Sequence, residues 1–208
     1  MFNVNLFGPM QVTKAILPYL RAQRHGRIAF TSSSTAWTSL PFLSHYAASK
    51  AALSAYIESL QKELQPLNIN CVAFESGGFP TELGQPRDNG AASFGGAPVS
   101  IADYQAGFAK LMGMFMSDPM AFMPGDLAKV APRIVDVVKG EGLAEGREWP
   151  VRVLLGSDAH QSVVQKCEEA LGLFGEWKEL AYSTDREGYG HVTNGEYMRA
   201  VSILGGKE

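Results

Sequence analysis

This chain of 208 residues has few cysteines, little net charge and no long apolar run. Its two cysteines, Cys71 and Cys167, are too few for a disulfide framework and are typical of thiols in a reducing compartment, which predicts a cytoplasmic location. No Cys/His spacing indicates zinc, so we expect no metal. The formal net charge of −3 comes without a basic stripe, which argues against nucleic-acid binding. No apolar run reaches the roughly 18 residues of a membrane-spanning helix, so we expect no membrane association.

Apolar residues make up 46% of the chain, which is enough for the packed core of one domain. The segment 26–33 (GRIAFTSS) predicts a short buried strand that runs into a serine-rich loop, and the segment 46–64 predicts a helix with small residues on one face. Further parallel strands are predicted at about 69–75 and 150–155. The order of strand, polar loop and helix indicates an α/β fold, in which ligands bind at the loops that follow the strands.

Ser33, Tyr46 and Lys50 form the most informative pattern, a serine followed thirteen residues later by Tyr-x-x-x-Lys. The spacing of four places the phenol and the ammonium on one helix face, one turn apart. A cation there favours the phenolate and lowers the pKa of a tyrosine from about 10 toward the range of an acid/base catalyst. A serine hydroxyl at the end of the preceding strand can bond the same reacting oxygen, so the set suits proton transfer at an alcohol or carbonyl. The alternative is an ordinary amphipathic helix with a half-buried tyrosine and a solvated lysine.

Together with this pattern, several further stretches resemble the short-chain dehydrogenase/reductase family in its single-domain, fungal-type form. The stretch 4–8 (VNLFG) resembles the helix whose asparagine completes the family's catalytic tetrad. The stretch 75–81 (ESGGFPT) resembles the Pro-Gly-x-x-x-Thr loop that contacts the nicotinamide, with Ser76 in place of the usual proline. The stretch 153–159 (VLLGSDA) resembles the last strand and the helix after it, and the matches span about residues 2 to 180.

The resemblance implies a catalytic role for each of four residues. Tyr46 is expected to be the general acid in reduction and the general base in oxidation. Lys50 is expected to lower the pKa of Tyr46 and to hold the ribose hydroxyls of the cofactor. Ser33 is expected to bond and polarise the substrate carbonyl, and Asn5 to position a water that continues the proton path to Lys50. Hydride comes from the cofactor itself.

The cofactor implied by the resemblance is NADP or NAD, bound at its nicotinamide end by Tyr46, Lys50, Gly77 and Thr81. The family's Gly-x-x-x-Gly-x-Gly turn for the pyrophosphate does not occur in this sequence, and neither does the residue about twenty positions later that chooses between the two cofactors. Relative to the family we therefore expect the N-terminal dinucleotide-binding half to be missing. An incomplete gene product and a real shortened protein both agree with this, and either leaves an unpaired edge on the first strand for a partner or a rearranged segment to cover.

The resemblance predicts a partial doubly wound, Rossmann-like parallel sheet with flanking helices over residues 1–182, and a tail without clear periodicity over 183–208. Residues 80–125 correspond to the family's variable lid over the substrate, and Asp126 is a candidate N-cap of the next helix. The apolar lid residues we single out are Phe94, Met112, Phe115 and Met116. Adaptable methionines suit irregular apolar ligands, which predicts an apolar small-molecule substrate. The alternative is an ordinary core helix followed by a loop.

Three functional hypotheses remain open at this point. The first is an NAD(P)-dependent carbonyl reductase or alcohol dehydrogenase, of the kind used in secondary metabolism, which turns over only when the missing half is restored. The second is a redox-neutral acid/base catalyst, such as an isomerase, dehydratase or cyclase. The third is a non-catalytic dimerisation partner, because helices 3–24 and 46–64 resemble the family's dimer interface and predict a homo-oligomer. The retained catalytic residues favour the first two.

Overall fold

The structure is a computed structural model, and it describes residues 1–82, 101–188 and 195–202. Its strands are Gly26–Ser33 (β1), Ile69–Ser76 (β2) and Arg152–Leu155 (β3). Its α-helices are Gly8–Gln23 (α1), Ser44–Leu64 (α2), Ala102–Ser117 (α3), Pro119–Phe122 (α4), Leu127–Lys139 (α5), Ser157–Glu176 (α6), Lys178–Tyr182 (α7) and Gly195–Val201 (α8). A π-helical turn, Asn3–Phe7, precedes α1, and short 3₁₀ turns lie at Ser34–Ala36, Gln65–Leu67 and Gly142–Ala144.

The three strands form one parallel sheet in the order β1-β2-β3, which confirms the predicted α/β fold. The register aligns Ser33 with Ser76, and Ser76 with Leu155, so the carboxyl ends of all three strands lie at one edge. Helix α2 connects β1 to β2, as parallel neighbours require. Among the described strands β1 pairs with β2 alone.

Helix α2 covers one face of the sheet because its buried side chains recur at helical spacing. Leu53, Ile57 and Leu60 are at most 5% exposed. They belong to one apolar cluster with Phe30 of β1 and Cys71 of β2. Burial of each large apolar side chain stabilises the fold by about 1.5–3 kcal/mol. This packing fixes α2 along the two strands whose ends carry the candidate site.

Helix α5 packs on the sheet through a second apolar cluster. That cluster contains Val130, Ile134, Val137, Val72 and Phe74. The helix begins after Asp126, whose Oδ1 accepts a hydrogen bond from the N–H of Ala128 at 2.8 Å, which confirms the predicted N-cap. The sheet is therefore covered by helices through alternate side chains of β2, as the pleat of a buried parallel strand requires.

Two local features differ from the sequence-based expectation. The predicted helix 3–24 starts with the π-helical turn Asn3–Phe7, which α1 continues. The segment 183–208, expected to lack a periodic element, contains α8, whose seven residues are too few to show a clear apolar repeat. None of the described helices is long and apolar enough to cross a membrane.

Candidate functional site

The candidate site lies at the edge where the carboxyl ends of β1, β2 and β3 meet, beside the first turns of α2. Ser33 ends β1, and Gly77 directly follows β2. Tyr46 and Lys50 lie in the first two turns of α2. Open parallel α/β sheets bind ligands at this edge because the loops after the strands converge there.

Lys50 is held between Tyr46 and β1. Its Nζ atom donates a hydrogen bond to the carbonyl oxygen of Thr31 at 2.9 Å and lies 5.8 Å from the centroid of the Tyr46 ring. Burial lowers the pKa of Lys50 from its usual 10.5, because the charged form loses solvation. Tyr46 is only half-buried. The pair therefore places an ammonium that can release a proton beside a phenol that a ligand can reach.

Ser33 is buried at the end of β1. Its Oγ accepts two hydrogen bonds from Thr35, at 3.2 Å from the backbone N–H and at 3.0 Å from the hydroxyl. These bonds make Ser33 the cap of the turn Ser34–Ala36. Because a hydroxyl accepts with its lone pairs and donates with its single proton, both bonds leave the Ser33 proton for a further acceptor. Ser33 can therefore donate to an oxygen placed over the strand ends.

Asn5 lies in the π-helical turn Asn3–Phe7 and reaches the first turns of α2. Its Nδ2 donates to Oγ of Ser49 at 3.0 Å, and the Ser49 hydroxyl donates to the carbonyl oxygen of Tyr46 at 2.7 Å. Ser49 is fully buried. Asn5 therefore contacts the helix turn that carries Tyr46, through a serine that lies next to Lys50 in the chain.

The loop after β2 is held in place by contacts with β3 and α6. The N–H of Gly77 donates to the carbonyl oxygen of Leu155 at 2.8 Å, and the N–H of Gly78 donates to Oδ2 of Asp158 at 2.7 Å. A Cβ atom at Gly77 would overlap the Asp158 carboxylate, so a larger residue there would displace Asp158 from its bond with Gly78. Thr81, four residues further along, is exposed. The structure therefore places Gly77 at the strand ends and Thr81 on the surface beyond them.

Sequence reasoning missed three contacts at this edge. Ser49 had a signal, a small polar residue on the buried side of a helix beside Lys50. Thr31 acts through its backbone carbonyl, which no side-chain pattern reveals. Asp158 lies in the first turn of α6 and bonds the loop after β2, a contact that depends on how the two elements pack. Among the described residues, no group of three or more His, Cys, Asp or Glu side chains could hold a metal ion.

The lid predicted over residues 80–125 is only partly described. Phe94 lies outside the described residues. In α3, Met112 and Phe115 are half-buried, whereas Met116 is 78% exposed. Met112 and Phe115 are therefore partly packed within the described fold, whereas Met116 faces solvent.

Phe42 joins the loop between Ser33 and Tyr46 to helix α3. Its backbone φ is 67°, in the left-handed region that residues other than glycine rarely adopt. Its ring packs edge-on against Tyr104 and Phe108, with centroid distances of 6.1 and 5.5 Å. Helix α3 is thus anchored by aromatic contacts to the segment that leads into Tyr46.

Comparison with known proteins finds similarity to dehydrogenases and oxidoreductases. A family model described as short chain dehydrogenase matches residues 1–91. Oxidoreductase BOA17 of Botryotinia fuckeliana is 29% identical over 182 residues, which cover 88% of this chain and 61% of the relative. Uncharacterized oxidoreductase YusZ of Bacillus subtilis is 33% identical over 111 residues, which cover 53% of this chain and 39% of the relative. The chain therefore spans less than two thirds of the length of these curated relatives.

Solved structures share the fold. A short-chain dehydrogenase from Streptomyces avermitilis has a TM-score of 0.72 at 28% identity, over 89% of this chain and 62% of that protein. A Burkholderia cenocepacia short chain dehydrogenase in complex with NADP has a TM-score of 0.51 at 22% identity, over 84% and 56% of the two chains. A Burkholderia phymatum short chain dehydrogenase/reductase in complex with NAD has a TM-score of 0.55 at 19% identity, over 92% and 60%. At the last two identities the likeness shows the fold alone.

Proposed function

We propose that this chain, which is similar to the short-chain dehydrogenase/reductase family, is an oxidoreductase that transfers hydride between NADP or NAD and a carbonyl or alcohol group of an apolar small molecule. The observation that carries this proposal is the position of Lys50. Its ammonium lies beside the Tyr46 ring and bonds the strand that ends in Ser33. A phenol that can donate a proton, a cation beside it and a hydroxyl donor therefore share one edge of the sheet.

The residues at this edge fit the nicotinamide end of such a cofactor. Gly77 and Gly78 form a loop of small residues fixed by β3 and α6, which suits the close approach of a flat ring to backbone. Lys50 supplies a cation for the ribose hydroxyls. The NADP and NAD in two structures of the same fold support a nicotinamide dinucleotide. The sequence has no Gly-x-x-x-Gly-x-Gly turn, so we assign no residue to the pyrophosphate.

The roles of the chain's own groups in reduction follow from their contacts. The bound nicotinamide would supply hydride to the carbonyl carbon. Ser33 donates a hydrogen bond to the carbonyl oxygen and keeps its proton, while Tyr46 transfers the phenol proton to the same oxygen as negative charge develops there. Lys50 then stabilises the phenolate, and its lowered pKa lets the ammonium return a proton to Tyr46 more readily than an exposed lysine would. Oxidation of an alcohol uses the same steps in reverse.

An apolar substrate is supported by the surroundings of the loop that precedes Tyr46. Phe42, Tyr104 and Phe108 present three aromatic rings there, and α3 continues with Met112 and Phe115. Aromatic and thioether surfaces bind apolar ligands of irregular shape. We expect kcat/KM to rise along a series from acetaldehyde to decanal, and a preference for the shortest aldehyde would contradict the apolar assignment.

We also propose that two copies associate through helices 3–24 and 46–64. Three apolar side chains of α1, Val12, Ile16 and Tyr19, are between 44% and 74% exposed, and their spacing places them on one face of the helix. Light scattering should give a dimer mass, and Ile16→Glu should reduce it to a monomer mass. A monomer before any substitution would contradict the proposal. The cytoplasmic location and the role in secondary metabolism stay predictions.

The proposed function is tested by a titration with NADPH and NADH, monitored by nicotinamide fluorescence, followed by turnover with decanal. We expect saturable binding, and we expect Tyr46→Phe to keep this binding but to lose turnover. Tyr56→Phe is the matched control, because it removes the same hydroxyl from another tyrosine of α2, which packs edge-on against Phe30 at 6.4 Å. Turnover in Tyr56→Phe should therefore stay close to that of the original chain.

Two outcomes would overturn the proposal in favour of the alternatives. Conversion of a substrate without any nicotinamide, lost in Tyr46→Phe, would indicate a redox-neutral acid/base catalyst. A folded chain that binds neither nicotinamide cofactor, and whose association is lost only in Ile16→Glu, would indicate a non-catalytic partner.

A further inference from the structure

Glu75 is a fully buried carboxylate at the end of β2, two residues before Gly77. Its Oε2 accepts a hydrogen bond from Nε1 of Trp37 at 2.7 Å. Its Oε1 accepts bonds from Oγ of Ser54 at 2.7 Å and from Nε and a terminal nitrogen of Arg152 at 3.0 and 2.5 Å. These partners lie in the loop after β1, in α2 and in β3. A single carboxylate therefore connects the segments that carry Ser33, the helix of Tyr46 and Lys50, and the loop of Gly77.

The bond to Ser54 extends this network to Lys50. Ser54 lies one helical turn after Lys50, and its Oγ is also 2.9 Å from Oγ of Ser32. The neighbouring bond along the same helix and strand is that of Lys50 Nζ to the carbonyl oxygen of Thr31. Two adjacent bonds, one turn apart on α2 and one residue apart on β1, therefore fix the helix against the strand. Glu75 supports the bond between Ser54 and Ser32, because it accepts a hydrogen bond from the same Ser54 hydroxyl.

The trio of Ser54, Glu75 and Arg152 has no role in the proton transfer itself. None of its atoms forms a recorded hydrogen bond with Tyr46 or Ser33 in the described structure. Its hydrogen bonds nevertheless join α2, β2 and β3 close to the candidate site. Resting on the proposed function, we infer that Glu75 is a positioning residue, which acts through Ser54 to hold Lys50 in register with Thr31 and thereby beside Tyr46.

Three single variants test this inference. Glu75→Gln keeps the shape of the side chain but replaces one acceptor oxygen with an NH2 donor. Wherever that donor points, it faces another donor, either the Trp37 indole N–H or the groups of Ser54 and Arg152. Ser54→Ala removes the hydrogen bonds of Ser54 to Glu75 and to Ser32, and leaves the carboxylate with Trp37 and Arg152. Glu58→Gln is the matched control, since Glu58 bonds the same Arg152 at 2.7 Å but bonds neither Ser54 nor Trp37 in the described structure. The double variant of Glu75→Gln and Ser54→Ala completes a cycle.

The first measurement does not depend on redox activity. Competitive labelling with acetic anhydride, followed by peptide mass spectrometry, reports the accessibility of each lysine amine. We expect labelling of Lys50 to rise about tenfold in Glu75→Gln and in Ser54→Ala, because one hydrogen bond changes an opening equilibrium by about that factor. The double variant should show no further rise, and Glu58→Gln should stay at the original level. Unchanged labelling in Glu75→Gln, or an equal rise in Glu58→Gln, would overturn the inference.

The second measurement separates positioning from a general loss of structure. In turnover of decanal with NADPH, Glu75→Gln and Ser54→Ala should lower kcat by about 10-fold to 100-fold with KM nearly unchanged, as expected for misplaced reacting groups. Equal kcat losses in Glu58→Gln would overturn the inference. If the unaltered chain shows no turnover, the proposed function fails while the labelling result still decides the role of Glu75. If Glu75→Gln does not fold, Ser54→Ala alone decides both measurements, since it leaves the buried charge paired.

Discussion

Arg152→Met is the substitution whose effect on stability we can work out most fully from the structure. Arg152 bonds Glu75 through two nitrogens and Glu58 through one, and its guanidinium lies 3.8 Å from the centroid of the Trp37 ring. Glu75 is 0% exposed, whereas the side chain of Glu58 is 22% exposed. Methionine keeps the apolar stem of the arginine and removes only the charge and its donors.

The expected loss comes mainly from Glu75. Breaking a buried ion pair leaves an uncompensated charge and costs about 3–5 kcal/mol. The partly exposed Glu58 pair adds at most about 1 kcal/mol. For a chain of this size each kcal/mol lowers the melting temperature by roughly 2–4 °C, so the melting temperature should fall by roughly 6–24 °C. Trp37 and Ser54 still donate hydrogen bonds to the Glu75 carboxylate after the substitution. Because these bonds partly compensate its charge, we expect the loss to lie in the lower part of these ranges.

Urea unfolding at neutral pH, monitored by far-ultraviolet circular dichroism, measures this loss directly. We expect a lower midpoint with an unchanged slope. Adding Glu75→Gln to Arg152→Met should recover more than half of the loss, because the amide carries no charge to leave unpaired. A loss below about 1 kcal/mol, the level of an exposed surface pair, would refute the buried-network interpretation.

The remaining predictions concern a lysine, two thiols and the core. Burial raises the pKa of Cys71 to about 12, so a thiol reagent at pH 8 should modify Cys167 and spare Cys71 until the chain unfolds. Modification of both thiols in the folded chain would contradict the burial of Cys71. Because burial lowers the pKa of Lys50, the folded state binds its proton less tightly than the unfolded state. The stability of the original chain relative to Lys50→Met should therefore stay level below the folded pKa and rise as pH increases toward 10.5. A stability difference that falls with pH would contradict this prediction. Ile57→Ala should lower the free energy of unfolding by about 2–5 kcal/mol in the same urea assay, whereas a neutral change would contradict its place in the core.

The sheet could be predicted because each strand is an apolar run between residues that end strands. Gly26 begins β1 and a serine run ends it, while Ile69 to Phe74 form an almost continuous apolar run after the αL residue Asn68. The helix of Tyr46 and Lys50 could be predicted from its small and apolar residues at helical spacing. Short α8 could not, because seven residues hold fewer than two full turns.

The site could be predicted only in part. Local spacing gave the relation of Tyr46 to Lys50, because residues four apart share a helix face whatever the fold. The contacts of Glu75 with Arg152, which lie 77 residues apart, depend on the register between β2 and β3 and have no local signal. The left-handed backbone of Phe42 is held by rings of α3 that follow more than sixty residues later, so its sequence neighbours do not indicate it.

Transfer of deuterium from NADPH, labelled at its reacting carbon, to decanal tests the proposed hydride transfer most directly. Mass spectrometry of the product alcohol detects the label. We expect deuterium in the product with the original chain and with Tyr56→Phe, and none with Tyr46→Phe. Absence of deuterium with the folded original chain, or retained transfer in Tyr46→Phe, would contradict a hydride-transfer site built around Tyr46, Lys50 and Ser33.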